Sequence, residues 1–277
     1  MFSLEGKTAV ITGGGRGIGR GIAHAYAKCG ANLVLTGRGA DVLEETAAEL
    51  REIGAEVLIL PGDITDLAEI GHIAEMSLER FGYIDCWVNN AGSAAPADVG
   101  RLIDLSETQF DNVVDLNFKA AFFAAQAAAQ AMTRGGSIIN ITSRSASQPC
   151  PITGHYGGSK AAMESLTATM SVEWGHLGIR VNAIAPGLVL TERSSSANSP
   201  SRQKRQAETV PLRRLGHVDD IAGLAVYFAA DESAWVTGQV VQVNGGSRLP
   251  VGLLTYLHRI NREMDEREAS GLEADAG

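Results

Sequence analysis

The sequence predicts an α/β fold in three layers, a doubly wound parallel sheet of about seven strands with helices on both faces. Three observations carry this. Short runs rich in valine, isoleucine and leucine alternate with helix-length stretches from Lys7 to Val243. Most of those runs are continuous rather than alternating with polar residues, as in strands buried on both faces. No Pro-, Ser- or Gly-rich linker and no internal repeat divides the series.

Taken in order, the predicted strands are Thr8–Thr12, Asn32–Thr36, Glu56–Leu60, Asp85–Asn89, Ser137–Ile141, Arg180–Ile184 and Gln239–Val243. The predicted helices between them are Gly17–Gly30, Asp41–Gly54, Asp66–Phe81, Glu107–Met132, Gly154–His176 and Val218–Ala230. Asp41 with Glu44 suggests a capping box at the start of the second helix. One catalytic domain is expected over residues 1–246, and a helical extension over 247–277 with a disordered end. The polar stretch from Arg193 to Glu208 falls outside the alternation and is read as part of a loop.

Composition narrows the function. The chain has 277 residues, 45% hydrophobic but only 5% aromatic, so its core must be aliphatic and alanine-rich. A formal net charge of -9 argues against a nucleic-acid partner, which would require clustered Lys and Arg. Cys29, Cys86 and Cys150 have no metal-ligand spacing and read as reduced thiols. The first residues lack a signal pattern and no apolar run is long enough to span a bilayer, so a cytoplasmic protein without a membrane partner is expected.

The first strand runs into Thr12-Gly13-Gly14-Gly15-Arg16-Gly17-Ile18-Gly19. Glycines there permit a tight turn and bring backbone amides close to a pyrophosphate, whose charge the following helix N-terminus favours. The spacing Thr-Gly-x3-Gly-x-Gly resembles that of the short-chain dehydrogenase/reductase family, in its compact single-domain branch. The resemblance continues to Gly246 and implies a Rossmann-type fold. It places Asp63, with Ile64 beside it, at the adenine, and Asn90, Ala91 and Gly92 of Asn89-Asn90-Ala91-Gly92 along the cofactor cleft. Pro186, Gly187, Val189 and Thr191 match the segment that holds the nicotinamide amide and the phosphates. Asn244-Gly245-Gly246 departs from the family's closing Asp-Gly-Gly by one residue.

An acid about 20 residues beyond the cradle usually binds the ribose hydroxyls and repels a 2′-phosphate. Here Gly37 stands at that position and Arg38 follows. With Arg16, it offers two guanidiniums to a phosphate, so NADP(H) is expected in preference to NAD(H).

Tyr156-Gly157-Gly158-Ser159-Lys160 opens a long helix, and residues four apart share a helix face. A phenol titrates near pH ~10, so proton transfer at neutral pH would be helped by roughly 4 kcal/mol of phenolate stabilisation. Lys160 beside Tyr156 is expected to supply part of it. The family resemblance adds Ser143, which would bond the substrate oxygen, and Asn117, which would position a water in a proton relay. The implied catalytic set is Asn117, Ser143, Tyr156 and Lys160, with Tyr156 as general acid/base and Lys160 also binding the nicotinamide ribose.

Ala94, Ser143, Gln148, Pro149, His155 and Leu188 are the expected walls of a substrate pocket, with a lid over about residues 191–210. Arg193, Arg202, Lys204 and Arg205 lie in that lid and suit either solvent or an anionic substrate. Leu253, Leu257, Ile260 and Met264 form one face of a tail helix that would pack on a neighbouring subunit or on its own chain. Small residues on the Phe118–Met132 and Tyr156 helices fit the family's paired interface, so a homotetramer is expected, with a dimer as the alternative. The expected activity interconverts a small carbonyl and an alcohol. A 3-oxoacyl-thioester reductase, another enzyme class on the same fold and a non-catalytic NADP(H) sensor remain as alternatives.

Overall fold

The computed structural model describes residues 2–192, 199–247, 256, 259–263 and 266. Seven strands form one sheet in the order β3-β2-β1-β4-β5-β6-β7. They are β1 (Thr8–Thr12), β2 (Asn32–Gly37), β3 (Val57–Pro61), β4 (Cys86–Asn89), β5 (Gly136–Ile141), β6 (Ile179–Pro186) and β7 (Val240–Val243). Every neighbouring pair is parallel. Each predicted strand lies within two residues of an observed one, because short apolar runs bounded by turns suit strands, and the inner strands here are buried on both faces.

Helices cover both faces. On one side α1 (Gly17–Lys28), α2 (Ala40–Glu52) and a helix over Val218–Ala229 bury Ile22, Tyr26, Leu43, Leu50, Ile221 and Phe228 against Ile11, Leu33, Leu35 and Val88. On the other, α3 (Leu67–Phe81), α5 (Ala120–Ala131) and α6 (Gly154–Trp174) pack Ile70, Ile73, Ala124, Ala128 and Met170 against Val10, Val34, Trp87 and Ile138. Alternate residues of one strand thus serve opposite layers, as the period of two requires. The alanines of α5 let that helix lie close to the sheet, which compensates for the scarcity of aromatics.

Three local features differ from the sequence reading. The predicted helix Glu107–Met132 is α4 (Glu107–Val114) and α5 joined through a π-helical turn, Asp115–Lys119. The second helix is capped by Gly39 without a side-chain bond, and Asp41 lies in its first turn, where it complements the helix dipole instead of closing a capping box. Glu44 pairs instead with Arg51 at 2.5 Å. The polar stretch read as loop contains α7 (Pro200–Glu208), started by Ser199 with proline at its first turn; the helix over Val218–Ala229 is therefore α8. Residues 193–198, including Arg193, lie outside the described residues, as do Leu253, Leu257 and Met264. In the described part of the tail, Glu263 is 3.7 Å from Arg101 of the same chain.

Strand order reverses between β1 and β4. In such sheets the crevice outside the strand C-termini at that switch point accepts ligands. Most groups in the next section hang on the C-terminal end of a strand, chiefly β1, β4, β5 and β6, or on a helix facing it.

Candidate active site

The turn after β1 is built for close approach. Gly13 and Gly17 have φ of +66° and +51°, a region L side chains avoid. A Cβ on Gly19 would fall 2.2 Å from the Gly13 carbonyl oxygen and 2.5 Å from Asn90 Nδ2. Gly13 donates its N–H to Thr36 O at 2.8 Å, so the turn is pinned to β2. Arg16 and Ile18 complete it, Arg16 exposed and without an ion-pair partner among the described residues.

Asn90 stitches β4 to β1. Its amide donates to Thr12 O at 2.9 Å and Gly13 O at 3.1 Å, while the Asn90 and Ala91 N–H groups both donate to Thr12 Oγ1 at 3.0 Å. Asn89 sits one layer deeper and bonds Asn140 Oδ1 at 2.9 Å, and Asn140 bonds Thr167 at 2.9 Å. This buried, satisfied network fixes the spacing of β4, β5 and α6. The sequence motifs contained Thr12 and Asn89-Asn90-Ala91-Gly92 but not Asn140 or Thr167, whose partners are distant in sequence.

Around the rim, Asp63 Oδ1 accepts from Thr65 N–H at 3.0 Å and Ile64 is buried beneath it. Arg38 is 80% exposed, its guanidinium 3.9 Å from Asp63 Oδ2, so it is free to turn toward another anion. Opposite, Pro186 ends β6 and Gly187 donates to Val243 O at 2.9 Å. A Cβ on Gly187 would lie 2.7 Å from Asn244 Cα, which explains glycine there beside Asn244-Gly245-Gly246. Leu188 and Leu190 exchange backbone bonds with Gly216. The strap around Val189 then runs on to Thr191, whose methyl is 3.2 Å from the position of a Cβ on Gly17.

The four predicted catalytic residues converge. Lys160, 4% exposed, donates to Ile141 O at 3.0 Å, and its Nζ lies 5.8 Å from the centre of the Tyr156 ring. Asn117 is fully buried in the π-helical turn and donates to Ser93 O at 2.7 Å and Val113 O at 2.9 Å. Its Oδ1 has no partner among the described residues. A Cβ on Gly92 would fall 2.6 Å from that Oδ1 and 2.9 Å from Lys160 Nζ, so both atoms border one small space. Ser143 accepts the Ser145 N–H at 3.1 Å and lies near enough to the Tyr156 hydroxyl to lower its pKa.

Electrostatics correct one expectation. Burial raises the Tyr156 pKa, and the Ser143 hydrogen bond only partly pulls it back. The expected depression by Lys160 is not produced by the protein's own groups. Burial pushes the Lys160 ammonium itself down to about 8.

The six predicted pocket residues are not gathered round one cavity. His155 is 5% exposed, its Nε2 2.9 Å from Asp98 O and its ring stacked on Phe110, so it faces α4 and not a pocket rim. Gln148 donates to Ser247 O at 3.2 Å. With Pro149 it lines a cavity of about 570 Å³ that also includes Leu102, Ile152 and Tyr256 but neither Tyr156 nor Ser143. Leu188 lines a different cavity of about 140 Å³ beside Val210 and Gly245. Ala94 stands half-buried on the loop that Asn117 and His155 hold at Ser93 and Asp98. Ile152, before α6, has φ +64°, unusual for a β-branched residue, and its carbonyl accepts the Gly100 N–H.

A dinucleotide fits this crevice. The cradle excludes Cβ atoms, donors line the α1 N-terminus, and an unpartnered buried oxygen and a lysine lie farther along. Fold and site together define a dinucleotide-cofactor oxidoreductase of the doubly wound α/β class. A family model described as enoyl-(acyl carrier protein) reductase matches residues 13–248. The chain is 35% identical over 245 residues to 7alpha-hydroxysteroid dehydrogenase of Escherichia coli, covering 88% of this chain and 94% of that protein. It is 36% identical over 258 residues to sorbitol dehydrogenase of Cereibacter sphaeroides, covering 88% and 98%. A crystal structure of 7α-hydroxysteroid dehydrogenase with NADH and 7-oxo glycochenodeoxycholic acid superposes with a TM-score of 0.83 at 34% identity, covering 88% of this chain and 95% of that one. The protein belongs to the short-chain dehydrogenase/reductase family, whose members use NAD(P), and is an oxidoreductase acting on CH–OH groups. Among the described residues no helix is long and apolar enough to cross a membrane.

Proposed function

We propose that the chain is an NADP(H)-dependent enzyme interconverting a ketone and a secondary alcohol, with Tyr156 as general acid/base. The observation that carries this is the convergence of Tyr156, Ser143, Lys160 and the unpartnered Oδ1 of Asn117 beside Gly92. When bound, the nicotinamide supplies or accepts hydride. Tyr156 gives its proton to the developing alkoxide in reduction and takes one in oxidation. Ser143 donates to the same oxygen and stabilises its charge. Lys160 holds the nicotinamide ribose, and Asn117 Oδ1 positions a water between Lys160 and solvent. Gly13, Gly15, Arg16, Gly17, Ile18 and Gly19 cradle the pyrophosphate, Asp63 and Ile64 flank the adenine, and Asn90, Ala91, Gly92, Pro186, Gly187, Val189 and Thr191 line the rest of the cleft.

The exposed Arg38 and Arg16, with glycine at position 37, support NADP(H) over NAD(H), although the crystallised relative holds NADH. The dehydrogenase relatives support a secondary alcohol. The cations Arg202, Lys204 and Arg205 on α7 support a 3-oxoacyl thioester as the second reading, and the matching family description shares with it only a carrier-borne acyl chain. Residues 1–246 form the catalytic domain and 247–277 an appended tail in this reading. A homotetramer is supported by the exposed Val172 on α6 and by Val240 and Trp235 at the β7 edge.

The test is consumption of NADPH and NADH with aliphatic, aromatic, steroid and 3-oxoacyl-thioester ketones. Faster turnover with NADPH is expected on at least one. Preference for NADH overturns the cofactor assignment, and failure to bind either dinucleotide overturns the whole reading.

A further inference from the structure

Glu192 stands where the β6 strap meets the cradle. Its Oε2 accepts the Gly17 N–H at 3.1 Å, the first residue of α1. Its Oε1 lies 3.3 Å from Arg20 NH1, one turn further along the helix. A carboxylate at that end complements the helix dipole. Arg20 does not swing freely. Glu49 on α2 grips its other edge, with bonds of 2.5 and 2.7 Å to NH2 and 3.1 Å to Nε, and His24 adds a contact to Glu49 at 2.9 Å. The hydrogen bond to Glu49 is the main cause of the raised Arg20 pKa. This leaves NH1 presented to Glu192.

The strap is therefore fastened at two points. Gly216 holds its start through paired backbone bonds to Leu188 and Leu190. Glu192 holds its end, with Thr191 packed against Gly17 between them. A dinucleotide placed from the cradle toward Lys160, as in the reading above, would run beside that strap.

We propose that Glu192 is a positioning residue for the cofactor, a clasp joining the strap to α1 so that Thr191 and Val189 close over the bound dinucleotide. The proposal rests on the cofactor reading above. It assigns a role to an acid that no glycine-rich or catalytic motif contains. The clasp must open for the dinucleotide to enter or leave, so its loss speeds release.

NADPH and NADH binding to the purified protein, followed by nicotinamide fluorescence and stopped-flow displacement, tests it. Exposed charged pairs of this kind are modest, so Glu192→Ala is expected to raise the release rate and the Kd roughly three- to tenfold. Glu192→Gln keeps the length and the acceptor for Gly17 and is expected to fall between. Glu192 is exposed, so both variants are expected to fold. Unchanged or slower release in Glu192→Ala overturns the clasp, and so does weaker binding that merely tracks a lowered melting temperature without cofactor. Tighter binding would make the carboxylate a competitor of the pyrophosphate and likewise overturns it. If the wild-type protein binds neither dinucleotide, the cofactor reading has failed and the clasp with it.

Discussion

At the scale of single residues, the site depends on groups held in costly states. Tyr156 is half-buried, desolvation raises its pKa, and the lowering by Ser143 does not cancel that rise. Tyr156→Phe is expected to lower turnover by about 10²–10⁴-fold while NADPH affinity stays within about threefold, as steady-state rates and fluorescence titration would show. Lys160 carries a different cost. Its pKa falls from 10.5 unfolded to about 8 folded, so the unfolded chain binds more protons between those values. The penalty is complete below pH 8 and fades as pH rises to 10.5, on the order of 3 kcal/mol at most. Lys160→Met is therefore expected to be inactive yet to melt higher than wild type at pH 7, less about 1 kcal/mol for the lost bond to Ile141. That advantage should shrink between pH 8 and 10.5. Arg38→Asp places an acid next to the ribose position and is expected to reverse the preference from NADPH to NADH, read as a ratio of kcat/KM.

Elements decide how far such groups can shift. Gly92 faces Asn117 Oδ1 and Lys160 Nζ at distances that leave no room for a methyl group. Gly92→Ala is expected to fold, because the site lies at the surface end of β4, but to lose about 10–100-fold in kcat by displacing both groups. A crystal structure of the variant would show the displaced lysine. Much of this level was legible in the sequence. Continuous apolar runs identified the strands, and Tyr156 with Lys160 declared a shared helix face. The π-helical turn at Asp115–Lys119 was not legible, because its composition suits an α-helix equally well. Asn117 lies buried in that turn, and such turns are frequent at functional sites. The placement of His155 was not legible either. His155 adjoins Tyr156 in sequence, but consecutive helical residues point about 100° apart, so His155 was carried away from the crevice toward Asp98. Glu192 was missed for the opposite reason, since its partners Gly17 and Arg20 lie far earlier in the chain.

For the whole molecule, a parallel sheet and its switch point place all the proposed chemistry at one edge and leave the β7 edge and the outer face of α6 to other uses. Val172, Trp235 and Val240 are exposed there. Light scattering is expected to give the mass of four chains, and Val172→Glu is expected to reduce it to that of two. Strand pairing also has a consequence in time. Val10 of β1 lies beside Trp87 of β4, and the intervening chain must first leave through β2 and β3 and return. At ~5–20 residues per second, a ribosome takes roughly 4–15 s to supply that stretch. Throughout that interval the β4-facing edge of β1 stays bare, a template for pairing with other chains. The crevice is thus assembled late in synthesis, and substitutions at Thr12 or Asn90 are expected to cut soluble yield in cells more than they lower the melting temperature of the protein that survives.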